Sequence, residues 1–515
     1  MITKTTPLIH QKATLDRMYG DEYHGFIFER GCGKTWVTLV EAANLFKDGK
    51  IDHFLVVAPK GVFRNWTLVE MPEHWPEDVP AIFYNWSSYP STYNLRQQRE
   101  FFELKDGDIL KVLAVNSEAL AASDKAFDAV KRFVTRGRTY WAWDESTDIK
   151  STKSQTYKIA RKLGPFAAYR RILTGSLVSQ SILDAYSQTE FLKREALGFK
   201  TFVGFRSEYA IVTQQTFGAR SFPKIEGYKN HADLKQRLQR FCTIVRKKDC
   251  LDLPDKIRQV FDASLSPKQI TAYNSMAKLS VVEIEQAIAN PQKARISEEE
   301  VEGMSEFERD AYLSTPQPKI VVAELALTKL MKLHQITCGY VKDEDKVTHW
   351  FDDKTPRVEE LVKMVEGMKK VIIWSHQVPS IERIIQRLTE TYGRETLVHF
   401  YGATSDLDRD AAKSLFQDPN SVVRFFVSNP ASGGMGNTLT AAADMIYFSN
   451  GYSVLLREQS EDRAHRIGQT KNLVITDMMA LGTVDKKVRD ALVKGQNIAD
   501  AMMESNWRDW FKPLD

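Results

Sequence analysis

Short, almost unbroken apolar runs recur along this chain between segments of helical spacing, and no other feature restricts the fold as much. In the first half they are HGFIFE (24–29), HFLVVAP (53–59), LKVLAV (110–115), TYWAWDE (139–145) and RRILTGS (170–176). In the second half they are KKVIIWS (369–375), ETLVHFYG (395–402), VVRFFVS (422–428), ADMIYFS (443–449) and NLVITDM (472–478). Strands that are apolar on both faces belong in parallel sheets covered on both sides. The segments between them, such as TWVTLVEAANLFKDG, carry helical periodicity and a glycine stop. Two such alternations imply two α/β layers, whose ligands sit beyond the carboxyl ends of the strands.

From about 180 to 250 and from 265 to 345 the strand rhythm lapses and helical spacing dominates. The acidic stretch ISEEEVEGMSEFERDAYLSTPQPK (296–319) reads as an exposed helical excursion, and MMESNWRDWFKPLD at the end as a short helix packing back on the second layer. The expected division is 1–264, with a helical insertion at about 180–240, then a helical linker or protrusion at 265–345, then 346–515 with its C-terminal helical segment.

At 515 residues the chain exceeds one ordinary core, and 43% hydrophobic with 27% charged residues excludes a disordered protein. The net charge of +4, from 71 basic and 67 acidic residues, permits a polynucleotide partner without demanding one. Cys32, Cys242, Cys250 and Cys338 are scattered without metal-ligand spacing, which argues against zinc and for a reducing compartment. The first residues lack a signal-peptide run, and no uncharged apolar stretch of about 18 residues suggests a membrane span. The expectation is a soluble cytoplasmic protein.

Three motifs carry chemistry. FERGCGKT (28–35) departs from the strict phosphate loop, G-x-x-x-x-G-K-[ST], by placing Phe28 at the first glycine. Gly31 and Gly33, with Cys32 between them, let the backbone turn tightly and aim N–H groups at phosphate oxygens. Lys34 is placed to neutralise β/γ-phosphates and Thr35 to offer a hydroxyl to Mg²⁺, although a lysine also fits an ordinary glycine turn. TYWAWDEST ends in adjacent acids: Asp144 suits a magnesium-bound water and Glu145 the activation of attacking water. A solvated acidic turn is the competing reading.

QSEDRAHRIGQT (459–470) places Arg463 and Arg466 three residues apart, hence on one face of a helix, with Gln459 one turn earlier. Paired guanidiniums suit the spread charge of phosphoryl transfer. Glu461 and Asp462 could instead neutralise them on a surface helix.

Together these stretches resemble the Snf2 family of superfamily 2 helicase-like ATPases, in order and over most of the chain. PLIHQ looks like its adenine-sensing segment, with Gln11 on the base, and FERGCGKT its phosphate loop, which tolerates a non-glycine at Phe28. VVAPKGVFRNWTLVEMPEHWP resembles motif Ia, WDEST the DEAH-type box and ILTGS motif III. VRKKDCLDLPDK, LSPKQITAY and KLHQITCGY resemble connecting segments of the family. VIIWS stands for motif IV, YGATSDLDRDAAKSLFQ for motif IVa, SNPASGGMGNTLTAAADMIYF for motif V and the arginine segment for motif VI. Ser146 and Thr147 replace the box's usual small residue and histidine, so the histidine that couples ATP state to motif III is absent. TGSLVSQS and SNGYS also depart from the usual pattern.

The resemblance implies two RecA-like parallel-sheet lobes with helical insertions between them. ATP with Mg²⁺ would bind Gln11, Gly31, Cys32, Gly33, Lys34, Thr35, Asp144 and Glu145, completed by Gly436, Gln459, Arg463 and Arg466. Sequence-nonspecific DNA, duplex or branched, would meet Lys60, Asn116, Ser117, Ser176, His376, Gln377, Arg409, Ser428, Ser432 and Gly433. The implied activity is an ATP-dependent DNA translocase or remodeller. Its rivals are an RNA- or single-strand-stimulated helicase and a non-hydrolysing DNA scaffold. Replication, recombination or transcription proteins are candidate partners, no membrane is involved, and a monomer suffices. The chain's economy looks more like bacterial or bacteriophage members. Trp66 and Trp75 read as packing residues, and Glu299 and Glu300 as a solvated face.

Overall fold

A computed structural model describes the chain except 88–90, 179–180, 218–219, 290–316, 403–405, 434–437, 497, 499–500, 503–504 and 515. Side chains at 214–217, 220–224, 287–289, 317–324, 406–410 and 433 also lie outside the description. Most of the acidic excursion, with Glu299 and Glu300, therefore falls outside the described residues. Chain contacts divide it into two units, Met1–Asp252 and Leu253–Asp515. Among the described residues no helix is long and apolar enough to cross a membrane.

The first unit holds β1 (Tyr23–Phe28), β2 (His53–Ala58), β3 (Ala81–Asn85), β4 (Leu110–Asn116), β5 (Thr139–Asp144), β6 (Tyr169–Thr174), β7 (Ala210–Phe217), β8 (Arg220–Tyr228) and β9 (Cys242–Val245). Seven of these form one sheet in the order β3-β4-β2-β5-β6-β1-β9, all parallel. Alternation along each strand feeds two cores. Leu55, Val57, Leu113, Val115, Trp141 and Trp143 pack on one face, and Phe54, Val56, Val112, Ala114, Tyr140 and Ala142 on the other. Trp66 and Trp75 join the second core, as expected of packing residues.

Helices were expected to dominate 180–250. Asp184–Leu192, Phe202–Tyr209 and His231–Leu238 are helical, but β7 and β8 form an antiparallel hairpin and β9 closes the sheet. These strands, like β3, lie in a separate hairpin or at a sheet edge. β3 and β9 bury less of themselves and so lack the unbroken apolar run. In the second unit β10 (Lys256–Asp262), β11 (Tyr340–Lys342), β12 (Thr348–Trp350), β13 (Val371–Ser375), β14 (Leu397–Phe400), β15 (Phe425–Ser428), β16 (Asp444–Ser449) and β17 (Leu473–Met479) follow. The main sheet runs β10-β17-β16-β13-β15-β14, again parallel. The join was expected at 264. Because β10 pairs with β17 from Lys256↔Leu473 to Asp262↔Met479, that segment lies in the second unit's sheet.

Two long helices, Pro267–Ala289 and Gln317–Thr337, occupy the expected helical stretch. Tyr273, Leu330, Val484, Trp510 and Phe511 share a core there, so the C-terminal turn Trp507–Phe511 packs back on this helical layer. Asp485 accepts from Thr337 Oγ1 at 2.7 Å and pairs with buried Arg357, pinning the layer.

The helix Lys34–Lys47 is tied to the first sheet by a buried ion pair. Arg171 Nε donates to Glu41 Oε2 at 2.9 Å, Tyr140 OH donates to the same oxygen at 2.8 Å, and Arg171 Nη2 donates to Asp21 O at 2.6 Å. Both ion-pair side chains are fully buried. Glu41→Ala strands the guanidinium and should cost the first unit about 3–5 kcal/mol. In a urea titration of the whole chain one transition should fall to lower urea while the other stays in place.

Candidate functional site

Parallel pairing aligns the carboxyl ends of β1, β2, β4, β5 and β6 along one edge, with Ile27 opposite Thr174, Leu173 opposite Asp144 and Ala58 opposite Asn116. The glycine loop leaves that edge. Gly31 and Gly33 have φ of 82° and 76°, a backbone that glycine adopts without strain. A Cβ on Gly33 would stand 2.0 Å from Gln11 Nε2, which donates to the Gly33 carbonyl at 3.3 Å. Gln11 Oε1 accepts from Leu8 N at 2.8 Å, so the amide is held against the loop. Phe28 is the last residue of β1, fully buried and without positive φ. Its carbonyl accepts from Lys34 Nζ at 3.0 Å. The chain therefore needs no glycine at that position.

The N-cap of the helix Lys34–Lys47 is Gly33, which has no side chain to bond the first N–H groups. Such an uncapped N-terminus offers N–H donors and positive dipole to an anion. Burial lowers the Lys34 pKa, and the charges of Glu145 and Asp144 pull it back up. Cys32 is buried, with Cys250 Sγ 3.6 Å from its own sulfur. Burial pushes its thiol up to about 12. No spacing in the sequence signals this approach across 218 residues.

Asp144 ends β5 and is 8% exposed. Trp66 Nε1 donates to its Oδ2 at 3.0 Å and the Glu145 backbone N–H to its Oδ1 at 3.0 Å. Burial, then the neighbouring Glu145 charge, pushes the carboxyl up to about 6. Glu145 has φ of 49°, a conformation that costs a non-glycine residue on the order of 1 kcal/mol or more. Its Oε1 lies 3.7 Å from Arg30 Nε, a buried nitrogen without a hydrogen-bond partner among the described residues. Sequence reading missed Arg30 and the Trp66 donor. Arg30's place two residues before Cys32 was the available signal for the first.

Magnesium fits this arrangement through a hydroxyl, a carboxylate, phosphate oxygens and water. Among the described residues no group of three or more His, Cys, Asp or Glu could hold a metal alone. Asp144, held above the usual carboxylate range by burial and the neighbouring Glu145 charge, is the group such an ion would relieve. Thr35, the second residue of the helix, bears the hydroxyl that would join it.

In the second unit the helix Val454–Glu461 contains Gln459 but ends before both arginines. Arg463 and Arg466 lie in the hydrogen-bonded turns that follow, which corrects the single helical face expected for them. The helix stops because its end is anchored elsewhere. Glu461 takes Arg258 at 2.7 Å, Arg457 at 2.9 Å and Lys256 at 3.1 Å. Burial raises the Glu461 pKa, but these cations overcome it and hold the group at about 2. The His465 ring bonds Pro254 O at 2.7 Å, and Gly468 turns the chain with φ of 97°. Leu439 N donates to Arg463 O at 2.8 Å. Glu461 is thus committed to other cations rather than to the two arginines. Gly436 lies outside the described residues.

The residues expected to face a polynucleotide differ in availability. Lys60 is exposed, and its backbone N–H donates to Glu118 at 3.0 Å. Asn116 caps the helix Ser117–Ala122 through Ala119 N at 2.7 Å, and Ser117 Oγ donates to Asp148 at 2.6 Å. Ser176 Oγ donates to Val178 O at 2.7 Å. His376 packs on Tyr452 at 5.3 Å, and Gln377 accepts from Tyr340 OH. Ser428 is fully buried and donates to Phe400 O, while Ser432 N donates to Asn429 Oδ1 at 2.6 Å. Gly433 ends the short helix Pro430–Gly433, and Arg409 lies on Asp406–Gln417 with its side chain outside the description.

Residues 10–311 match the family model of the SNF2-related domain, so the chain belongs to that family. It is 25% identical over 502 residues to the ATP-dependent helicase fft1 of Schizosaccharomyces pombe, covering 92% of this chain and 50% of that protein. It is 23% identical over 526 residues to the human lymphoid-specific helicase, covering 93% of this chain and 60% of that one. The chain thus spans about half the length of these relatives. A solved structure described as the Sulfolobus solfataricus SWI2/SNF2 ATPase core in complex with dsDNA aligns at a TM-score of 0.39 and 20% identity. The alignment covers 98% of this chain and 94% of that one.

The Asp144 environment has a measurable consequence. Since its carboxyl titrates at about 6 when folded instead of 3.8, the folded chain binds this proton more tightly than the unfolded chain. Stability is therefore lost as pH rises through that window and stays lost above it. Asp144→Asn should raise the melting temperature of the ligand-free protein by a few degrees at pH 7, with the gain shrinking as pH falls through about 6. No gain at pH 7 in a melt monitored by circular dichroism would contradict the buried-charge account.

Proposed function

We propose that this chain is a DNA-dependent ATPase of the Snf2 type, a translocase or remodeller that couples ATP hydrolysis to movement along duplex or branched DNA. One observation carries the proposal. An SNF2-related domain presents a helix N-terminus without a side-chain cap, with Lys34 in the field of a buried Asp144 and of Glu145, whose φ is 49°. In this reading Gln11 meets the base, and the loop N–H groups and Lys34 bind the β/γ-phosphates. Asp144 and Thr35 hold magnesium, which would neutralise phosphate charge. Glu145 orients the attacking water and accepts its proton as the Pγ–O bond to ADP breaks. By the family resemblance Gly436, Gln459, Arg463 and Arg466 would also serve ATP, the arginines with guanidinium charge for the equatorial oxygens of the transition state.

Engagement of those arginines would make ATP prefer one arrangement of the two units and ADP another, the differential affinity that a motion requires. DNA phosphates would meet Lys60 and the other residues named for that face, with contacts that position the strand and read no sequence. The units 1–252 and 253–515 would be the moving bodies, working in a reducing cytoplasm (the host's, for a phage-borne protein).

Phosphate release should rise most with duplex DNA when duplex, single-stranded DNA and RNA are compared at one stated salt concentration. Lys34→Ala and Glu145→Gln should each lower kcat by about 10²–10⁴-fold, and Arg466→Ala by about 10³-fold or more. Stronger stimulation by RNA would select the helicase alternative. Wild-type turnover no faster than Glu145→Gln would select the non-hydrolysing scaffold.

A further inference from the structure

The buried helix Asp184–Leu192 grips two turns of the first unit at once. Gln188 is fully buried, as is Ser146, the residue that follows Glu145. Ser146 Oγ donates to Gln188 Oε1 at 2.7 Å. Gln188 Nε2 donates to Leu177 O at 2.9 Å and to Asp184 O at 2.9 Å. Leu177 follows Ser176 in the loop beyond β6, and Ser187 on the same helix donates to Lys150 O. Both amide hydrogens of Gln188 are therefore used, and its oxygen is used by Ser146.

A fully satisfied amide in a dry interior resists independent movement of its partners. Displacing either turn leaves a buried donor or acceptor unpaired, at about 1–3 kcal/mol. One of those turns contains Glu145, whose φ of 49° persists only where surrounding contacts hold it. The other leads from Ser176, one of the residues assigned above to the polynucleotide face. The residue at 147, where a histidine would stand in the resembled box, is a threonine whose hydroxyl, among the described residues, reaches Glu145 O at 3.5 Å. Beyond the β5–β6 ladder itself, a side-chain path joins the two turns through Ser146, Gln188 and Leu177.

We propose that Gln188 is a positioning residue that makes the orientation of Glu145 depend on the loop beyond β6, so that a polynucleotide resting on that loop accelerates hydrolysis through the Ser146–Gln188–Leu177 chain. The proposal rests on the ATPase reading above. The readout is the ratio of kcat with saturating duplex DNA to kcat without it, measured with KM for ATP and a thermal melt on the same full-length proteins. Gln188→Met and Ser146→Ala should each lower that ratio at least about tenfold, with KM for ATP within about twofold. The double variant should be no worse than the lower single, because both remove one link. Replacing both partners by apolar groups also limits the folding cost. If Gln188→Met does not fold, Ser146→Ala and the double variant decide. Ratios within about twofold of wild type, independent losses in the double variant, or an effect confined to KM overturn the bridge while leaving the ATPase reading intact. A wild-type protein that DNA does not stimulate overturns both.

Discussion

Parallel pairing of β1, β5 and β6 is the constraint on which the site depends. It brings the end of β1, the end of β5 and the start of the loop after β6 to one edge, although about 30 and 115 residues of chain separate them from one another along the sequence. A ladder slipped by one residue would turn Phe28, Tyr140 and Trp143 to the wrong faces and move Asp144 away from the glycine loop. The two cores, each filled by every second residue, therefore fix the position of charged groups that do not themselves stabilise the sheet.

Those charges are arranged in two ways. Structural ones are closed networks. Glu41 is shared by Arg171 and Tyr140, Asp485 by Arg357 and Thr337, and Arg457 bridges Asp477 and Glu461. Each of their carboxylates is shared by two or more donors, and the cations around Glu461 hold it far below the ordinary glutamate range. At the candidate site the accounts stay open. Asp144 is buried beside another acid, Arg30 Nε has no acceptor among the described residues, and the N-cap Gly33 brings no side chain to the helix that follows it. A buried acid set beside another near a glycine loop is what makes these residues the candidates for a ligand.

The strands buried on both faces were legible in the sequence because every residue in them is apolar or nearly so. β2, β4, β5, β13, β15, β16 and β17 all fall on runs recognised that way. β3, β9 and β10 were not, and each stands at the edge of its sheet. An edge strand such as Lys256–Asp262, KIRQVFD, mixes polar and apolar side chains and resembles a loop until its partner is known. The arginines of 463 and 466 were legible as chemistry but not as geometry. The contacts that end their helix come from Arg258 and Lys256, some two hundred residues away.

The amino-acid sequence alone determined the two α/β layers, the glycine loop and the residue types of the site, since local spacing and apolar runs act between neighbours in the chain. Its ordered motifs also sufficed to identify the family. Tertiary structure decided which of those residues are free to act. It turned Asn116 into a helix cap, sealed Ser428, committed Glu461 to the sheet and set Trp66 against Asp144. It also tied Ser146 to Gln188. Each of these outcomes depends on a partner distant in sequence, because hydrogen bonding and desolvation are settled by what packs nearby in space.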